Sequence, residues 1–334
     1  MNSKLEIVLS GIRATGKLHF GNFLGAVRNF VRFQDEGNLC LYFIADWHTL
    51  TTLDDPAVLR NNVLEIAKDY LAAGLDPEKS IVYTQSSVPE IAELSLYLGM
   101  FQPLGELSNI PTYKDLVKKF PNRVTHGLIS YPVLMAADIL GPQTTLVPVG
   151  EDQVPNVELA RELARRFNNR FGQTFIVPEM MKEMVKVPGL AGGKMGKSDS
   201  SNAVDINAPI ESIRELYLKH SSSDPKRILR SDPGDPFNRC PGVYPLHEII
   251  TEGESVSRTI ARKCQSAAIG CRDCKNQLVD TLASMIEPYQ ERRRELENKN
   301  DYVRDVLHEG GKKARKRFQT TIENVREKIG IRIY

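Results

Sequence analysis

The sequence predicts an α/β protein, a doubly wound parallel sheet followed by an α-helical region. Three observations lead there. Short apolar runs alternate with helical periodicities through the first 205 residues. A glycine-rich turn directly follows the first of those runs. Beyond about residue 205 no convincing strand occurs, and amphipathic helices with charged faces take over.

The elements follow in order. LEIVL (5–9) has the composition of a buried strand and stops at Ser10-Gly11. Residues 22–35 carry a helical pattern. LYFIAD (41–46) is a second apolar strand, and 56–74 a second helix. IVYTQ (81–85) and TTLVPVG (144–150) are the third and fourth strands, and EDQVPNVELARELARRF (151–167) starts a helix behind the last of them. Strands that alternate with helices pair in parallel and need helices on both faces, the Rossmann-type arrangement. SDPGDPFNRCPG (231–242) interrupts the helices of the second half. The expected division is a doubly wound Rossmann-type domain over 1–205 and a helical domain over 206–334.

Composition narrows the function classes. With 334 residues, 41% hydrophobic and 26% charged, the chain is an ordinary globular protein. A net charge of +2 means that any polyanion must be met by a local patch. The segment MNSKLEIVLSG is too short and polar for a signal peptide, and no apolar run approaches 18 residues, so a cytoplasmic protein without a membrane span is expected.

AGGKMGKS (191–198) fits a relaxed phosphate-loop pattern with Ala in the first Gly position. The context does not suit it. A weak strand, VKVPGL, precedes it, a polar turn-rich stretch follows, and no apolar strand ends in a clear magnesium-binding Asp. Taken alone, a solvated lysine loop is the simpler reading. A second segment changes the weighing. GIRATGKLHFGN (11–22) has glycines at 11, 16 and 21 for tight turning, and His19 and Asn22 sit where a helix would begin.

Residues 131–140, YPVLMAADIL, place Tyr131, Met135 and Asp138 at i, i+4 and i+7, one face of a helix. A carboxylate in an apolar and aromatic wall needs a donor. That donor is either a nearby backbone N–H or a substrate N–H or O–H.

Of five cysteines, Cys40 lies beside an apolar run and reads as a small buried hydrophobe. Cys240, Cys264, Cys271 and Cys274 crowd together. In a reducing compartment metal is favoured over disulfides. Zinc usually takes two short knuckles, and only 271/274 is one. Three close cysteines with one remote suit an iron–sulfur cluster better, and free thiols remain the third reading. KKARKR (312–317) and KRILR (226–230) are either charged helix surface or contacts for RNA phosphates.

Together, HFGN (19–22) and KMGKS (194–198) resemble the HIGH and KMSKS signatures of class I aminoacyl-tRNA synthetases, in the right order and about 170 residues apart. Gly196 stands in place of the usual Ser, and Phe20 and Asn22 in place of Ile and the second His. SYPVLMAADIL followed by LVPVGEDQ (146–153) resembles the tryptophanyl-tRNA synthetase pattern. Tyrosyl enzymes share the fold but usually differ around the Gly-x-Asp-Gln.

The resemblance implies roles, with 1–205 as the catalytic domain and 206–334 as a helical anticodon-binding domain that carries the four cysteines. His19, Asn22, Lys194, Lys197 and Ser198 would be catalytic. Arg13, Ala14, Thr15, Gly21, Gly150, Glu151, Asp152, Val187, Met195 and Gly196 would join Asn22 and the loop lysines around ATP, with Mg²⁺. Asp138 would accept the indole N–H, Tyr131, Met135 and Val149 would line the ring, and His48 and Gln153 would hold the amino acid's polar end. Arg13 and Leu9 depart from the common Gln and Phe. A subset of bacterial members looks similar at the four cysteines and carries a [4Fe–4S] cluster in the helical domain, with zinc as the alternative here. The partners implied are tRNA(Trp), L-tryptophan and ATP, in a homodimer. A tyrosine enzyme and a non-catalytic sensor of tryptophan or RNA are the competing readings.

Overall fold

The computed structural model describes residues 5–16, 18–181, 186–193, 195, 202–251 and 254–331. Five strands form one sheet: β1 (Ile7–Arg13), β2 (Leu39–Ala45), β3 (Ser80–Thr84), β4 (Leu146–Pro148) and β5 (Glu179–Met181). All pairs are parallel, in the order β3-β2-β1-β4-β5. The first four overlap sequence runs, but β1 does not stop at Ser10-Gly11: it continues through Gly11 to Arg13, held by its parallel pairing with β2. β5, of sequence EMM, was not anticipated: it is three residues long at the sheet's margin, with Glu179 exposed, so it lacks an apolar run.

The helices are α1 (Phe20–Asn22), continued by a π-helical turn over Phe23–Val27 and by α2 (Arg28–Asp35), then α3 (Asp46–Leu50), α4 (Pro56–Ala73), α5 (Glu90–Gly99), α6 (Leu104–Asn109), α7 (Pro111–Lys119), α8 (His126–Leu140) and α9 (Val154–Phe171). After the sheet come α10 (Ile210–His220), α11 (Tyr244–Ile250), α12 (Glu254–Gln265), α13 (Cys271–Leu296) and α14 (Asn300–Ile329). No described helix is long and apolar enough to cross a membrane.

The strands are buried on both faces, as a doubly wound sheet requires. Val8, Tyr42, Ile44 and Val82 enter one core with Tyr70 of α4 and Ile286 of α13. Their chain neighbours Leu9, Phe43 and Tyr83 enter the other with Val133 of α8 and Phe318 of α14. The period of two along each strand thus sorts side chains between two helix layers.

The last long helix returns to the sheet. A Cβ on Gly310 of α14 would lie 1.8 Å from the Val82 carbonyl oxygen of β3, so helix and strand backbones touch directly. Gly141, just after α8, gives the same access to Phe318, whose ring a Cβ would meet at 2.0 Å. The second half of the chain therefore completes the cores of the first.

Sheet order reverses between β2-β1 and β1-β4. In open parallel sheets, ligands bind in the crevice at the carboxyl ends of the strands at such a switch point.

Candidate active site

A cleft of about 420 Å³ opens there, within the usual range for small-molecule sites. One wall is built by the turn after β1. The Ala14 N–H donates to Thr49 Oγ1 at 2.8 Å, and its carbonyl accepts from Asn62 Nδ2 at 2.9 Å. These bonds fix the backbone and leave the Ala14 side chain buried, outside the cleft lining. Arg13 and Thr15 line the cleft, and the Arg13 guanidinium donates to Thr51 and Thr52 of the loop after α3.

His19 then caps α1. Its Nδ1 accepts the Asn22 N–H at 3.3 Å. The Asn22 side-chain oxygen is buried with no partner among the described residues. Gly21 is needed for close approach: a Cβ there would meet the His19 ring at 2.8 Å and Met195 at 3.3 Å. Phe20 donates its N–H to Val204 at 3.1 Å, and His19 bridges Asp205. Met195 is buried, its N–H held by the Val187 carbonyl at 2.9 Å. The two segments that sequence paired at a distance thus meet physically through His19, Gly21 and Met195. Lys194, Gly196, Lys197 and Ser198 lie outside the described residues.

The opposite wall is α8. Tyr131, Met135 and Asp138 all face the cleft. Asp138 is fully buried. Its Oδ2 lies 3.1 Å from His48 Nε2, which carries the hydrogen because a carboxylate can only accept. Gln85 Nε2 donates to Oδ1 at 3.0 Å and to Oδ2 at 2.9 Å. Among the described residues, the donors that reach Asp138 are thus side chains. Burial pushes the carboxyl upward from its ordinary pKa, and the hydrogen bonds from His48 and Gln85 oppose it. The His48 ring sits 4.1 Å from that of Tyr131, and its Nδ1 has no protein partner among the described residues.

The floor is the turn after β4. Val149, Gly150, Glu151, Asp152 and Gln153 line the cleft, and Val187 and Lys186 close it. Gln153 donates to Asp152 at 3.2 Å and accepts from Asn156 at 2.9 Å. Lys186 pairs with Glu151, which raises the lysine's pKa. His48 stands with Asp138, and Gln153 on the separate β4 turn.

Gln85 and Lys186 were missed by sequence reasoning. Gln85 was read only as the last residue of a strand, though the carboxyl end of a parallel strand is where such folds place functional groups.

The cysteine quartet sits apart from this cleft. Cys274 is pushed up to about 12 by burial first, then by the neighbouring Cys240, Cys264 and Cys271. Cys274 Sγ lies 3.4 Å from His247 Nε2, and Arg227 donates to Cys264 Sγ at 3.7 Å. Among the described residues, no three His, Cys, Asp or Glu side chains are placed to hold a metal ion.

A parallel sheet with a switch-point cleft, joined signature segments and an aromatic-acidic wall defines a class I synthetase catalytic domain. Residues 2–287 match the family described as tRNA synthetases class I (W and Y). The chain is 42% identical over 328 residues to the tryptophan–tRNA ligase of Thermotoga maritima, covering 97% of this chain and 99% of that one. It is 40% identical to that of Deinococcus radiodurans over 97% and 98% of the two chains. The tryptophanyl-tRNA synthetase of Campylobacter jejuni, solved with ADP and tryptophan, superposes with a TM-score of 0.82 at 34% identity, covering 97% and 99%. This chain belongs to the tryptophan–tRNA ligase family.

Proposed function

We propose that the cleft activates tryptophan with ATP and that the chain then transfers it to tRNA(Trp). The observation that carries the reading is the meeting of His19, Gly21 and Met195 at one end of a cleft whose other wall presents Asp138. The Asp138 carboxylate, held as an acceptor, takes the indole N–H, with Tyr131, Met135 and Val149 along the ring. A site built around that bond rejects a phenyl ring, because its buried acceptor would lose a partner. Arg13, Thr15, Asn22, Gly150 and Val187 take the nucleotide.

The tryptophan carboxylate is already a nucleophile at neutral pH. It attacks the α-phosphorus in line, the bond to the bridging oxygen breaks, and pyrophosphate leaves. No general base is needed, so catalysis rests on positioning and on charge stabilisation. His19, Asn22, Ser198 and the loop lysines Lys194 and Lys197 supply that stabilisation. Mg²⁺ arriving with the nucleotide would offset the charge of its phosphates.

Residues 206–334 carry the RNA-reading surface in this proposal, with α14 returning to the sheet. By donor type alone the four thiols suit an iron–sulfur cluster, although among the described residues no three of them are placed to hold a metal ion. They lie within electrostatic reach of one another, and Lys275 and Arg227 stand beside them to offset a cluster's negative charge. The working unit is a homodimer, supported by the exposed Leu96, Met100 and Leu104 at the junction of α5 and α6.

The test is exchange of labelled pyrophosphate into ATP with tryptophan, tyrosine or phenylalanine. Exchange with tryptophan alone is expected. Exchange with tyrosine would overturn the Asp138 assignment, and no exchange from folded protein would move the weight to a non-catalytic sensor.

A further inference from the structure

Asp138 cannot do its work unaided. A buried carboxyl is driven toward its neutral form, and a neutral carboxyl would offer a hydrogen where an acceptor is required. Two groups reach it with donors, and they differ in kind. His48 approaches one oxygen, through its ring Nε2 at 3.1 Å. Gln85 reaches both oxygens, at 3.0 and 2.9 Å, through an amide that does not titrate. Gln85 is itself fully buried. Its amide orientation is fixed from behind: Oε1 accepts the His48 backbone N–H at 3.2 Å, so the NH₂ must face Asp138.

The placement follows from the fold. Gln85 is the first residue after β3, and His48 lies on α3, directly after β2. Next to them, Asp46 accepts the Ser86 N–H at 3.0 Å, which ties the two strand ends together. The acceptor on α8 is therefore gripped by the carboxyl ends of two adjacent strands.

We infer that Gln85 is a positioning residue for amino-acid recognition, holding the Asp138 carboxylate ionised and aimed so that it accepts a substrate N–H. This rests on the reading of Asp138 given above. The groups that face Asp138 are His48 and Asp46 from α3, Tyr83 from β3 and Tyr131 from α8. Asp46 disfavours the carboxylate and His48 favours it. With Gln85 gone, the balance shifts toward the neutral acid. Tryptophan affinity, present above the Asp138 pKa and lost as pH falls through it, should then be lost at higher pH.

The experiment measures equilibrium binding of tryptophan, and of the analogue with sulfur in place of the indole N–H, from pH 5 to 8. The intact chain is compared with Gln85→Met, which keeps the volume and removes the donors. Gln85→Glu, nearly isosteric, adds a competing charge and serves if the first variant does not fold. For Gln85→Met, tryptophan should bind about 10- to 100-fold more weakly at neutral pH, with the acid-side loss moved upward. Preference over the sulfur analogue should collapse. Gln85→Glu should move the loss further in the same direction. A parental pH profile and parental preference in either folded variant would overturn the inference. No preference in the intact chain would instead sink the Asp138 reading, and the inference with it.

Discussion

Asp69 and Arg293 form a buried ion pair, Oδ1 to Nε 2.9 Å, that joins α4 to α13. The same carboxylate accepts from Tyr289 Oη at 2.7 Å and, through Oδ2, from the Leu18 N–H at 3.2 Å. Leu18 immediately precedes His19, so the backbone entering the nucleotide wall hangs from a charge that the second half of the chain neutralises. Arg293 also pairs with Glu65 at 2.6 Å and Glu297 at 2.5 Å.

Arg293→Met should therefore be costly. It leaves Asp69 buried without its cation and Glu65 with Lys68 alone, a loss of about 3–5 kcal/mol for a broken buried pair. Urea unfolding at neutral pH measures it. A change under about 1 kcal/mol would show that the network does not depend on this arginine.

Gly310→Ala forces a methyl group against the Val82 carbonyl. Overpacking of this kind costs about 1–3 kcal/mol or more. Gly105→Ala in α6, where nothing lies within 4 Å of the added Cβ, should be neutral or stabilising by up to about 1 kcal/mol. Similar melting temperatures for the two variants would contradict the direct contact of α14 with β3.

Glu93 of α5 receives Arg326 of α14 on both oxygens, at 2.7 and 2.5 Å, and Tyr97 Oη at 2.7 Å. The Arg326 hydrogen bond holds its carboxyl below the usual range. Its folded pKa being lowered, the stabilisation is present above the unfolded value of about 4.3 and is lost as pH falls through the folded one. The intact chain should exceed Glu93→Gln by about 1 kcal/mol at pH 7, a modest figure because the pair is partly exposed. The gap should close from about pH 5 downward. A gap unchanged at pH 3 would refute the pairing.

Within KKARKR, the helix divides the labour. Arg315 pairs with Glu90 at 2.8 Å, and Arg317 is half-buried, donating to the Pro142 carbonyl at 3.3 Å. Arg317→Ala should thus lower stability and leave the salt dependence of tRNA binding alone. Lys226→Ala, on an exposed loop, should reduce that salt slope by about 1. Titration of tRNA binding at several salt concentrations decides, and the reverse pattern would return the helix to the RNA surface.

Sequence carried the sheet well where strands were long and apolar. LYFIAD and IVYTQ announced β2 and β3 because both faces are buried. EMM did not announce β5, for its three residues gain little from burial. The spacing of Tyr131, Met135 and Asp138 survived intact, because helix periodicity is local. Gln85 and Asp138 are 53 residues apart, and Asp69 and Arg293 are 224 apart. No local pattern links either pair. Polar partners deep in a fold are chosen by topology, and topology is what a single sequence states least directly.

Gly310 against Val82 also bears on how the chain is made. The neighbouring partners Arg315 and Glu90 lie 225 residues apart. At ribosomal rates that separation is roughly 10–45 s of synthesis. Throughout it, β3 and the apolar face awaiting Ala314 and Phe318 stand uncovered on the nascent polypeptide. The sheet's order in the chain thus sets a window in which a growing polypeptide needs shelter from its neighbours, and shortening the connection by permuting the chain would narrow it.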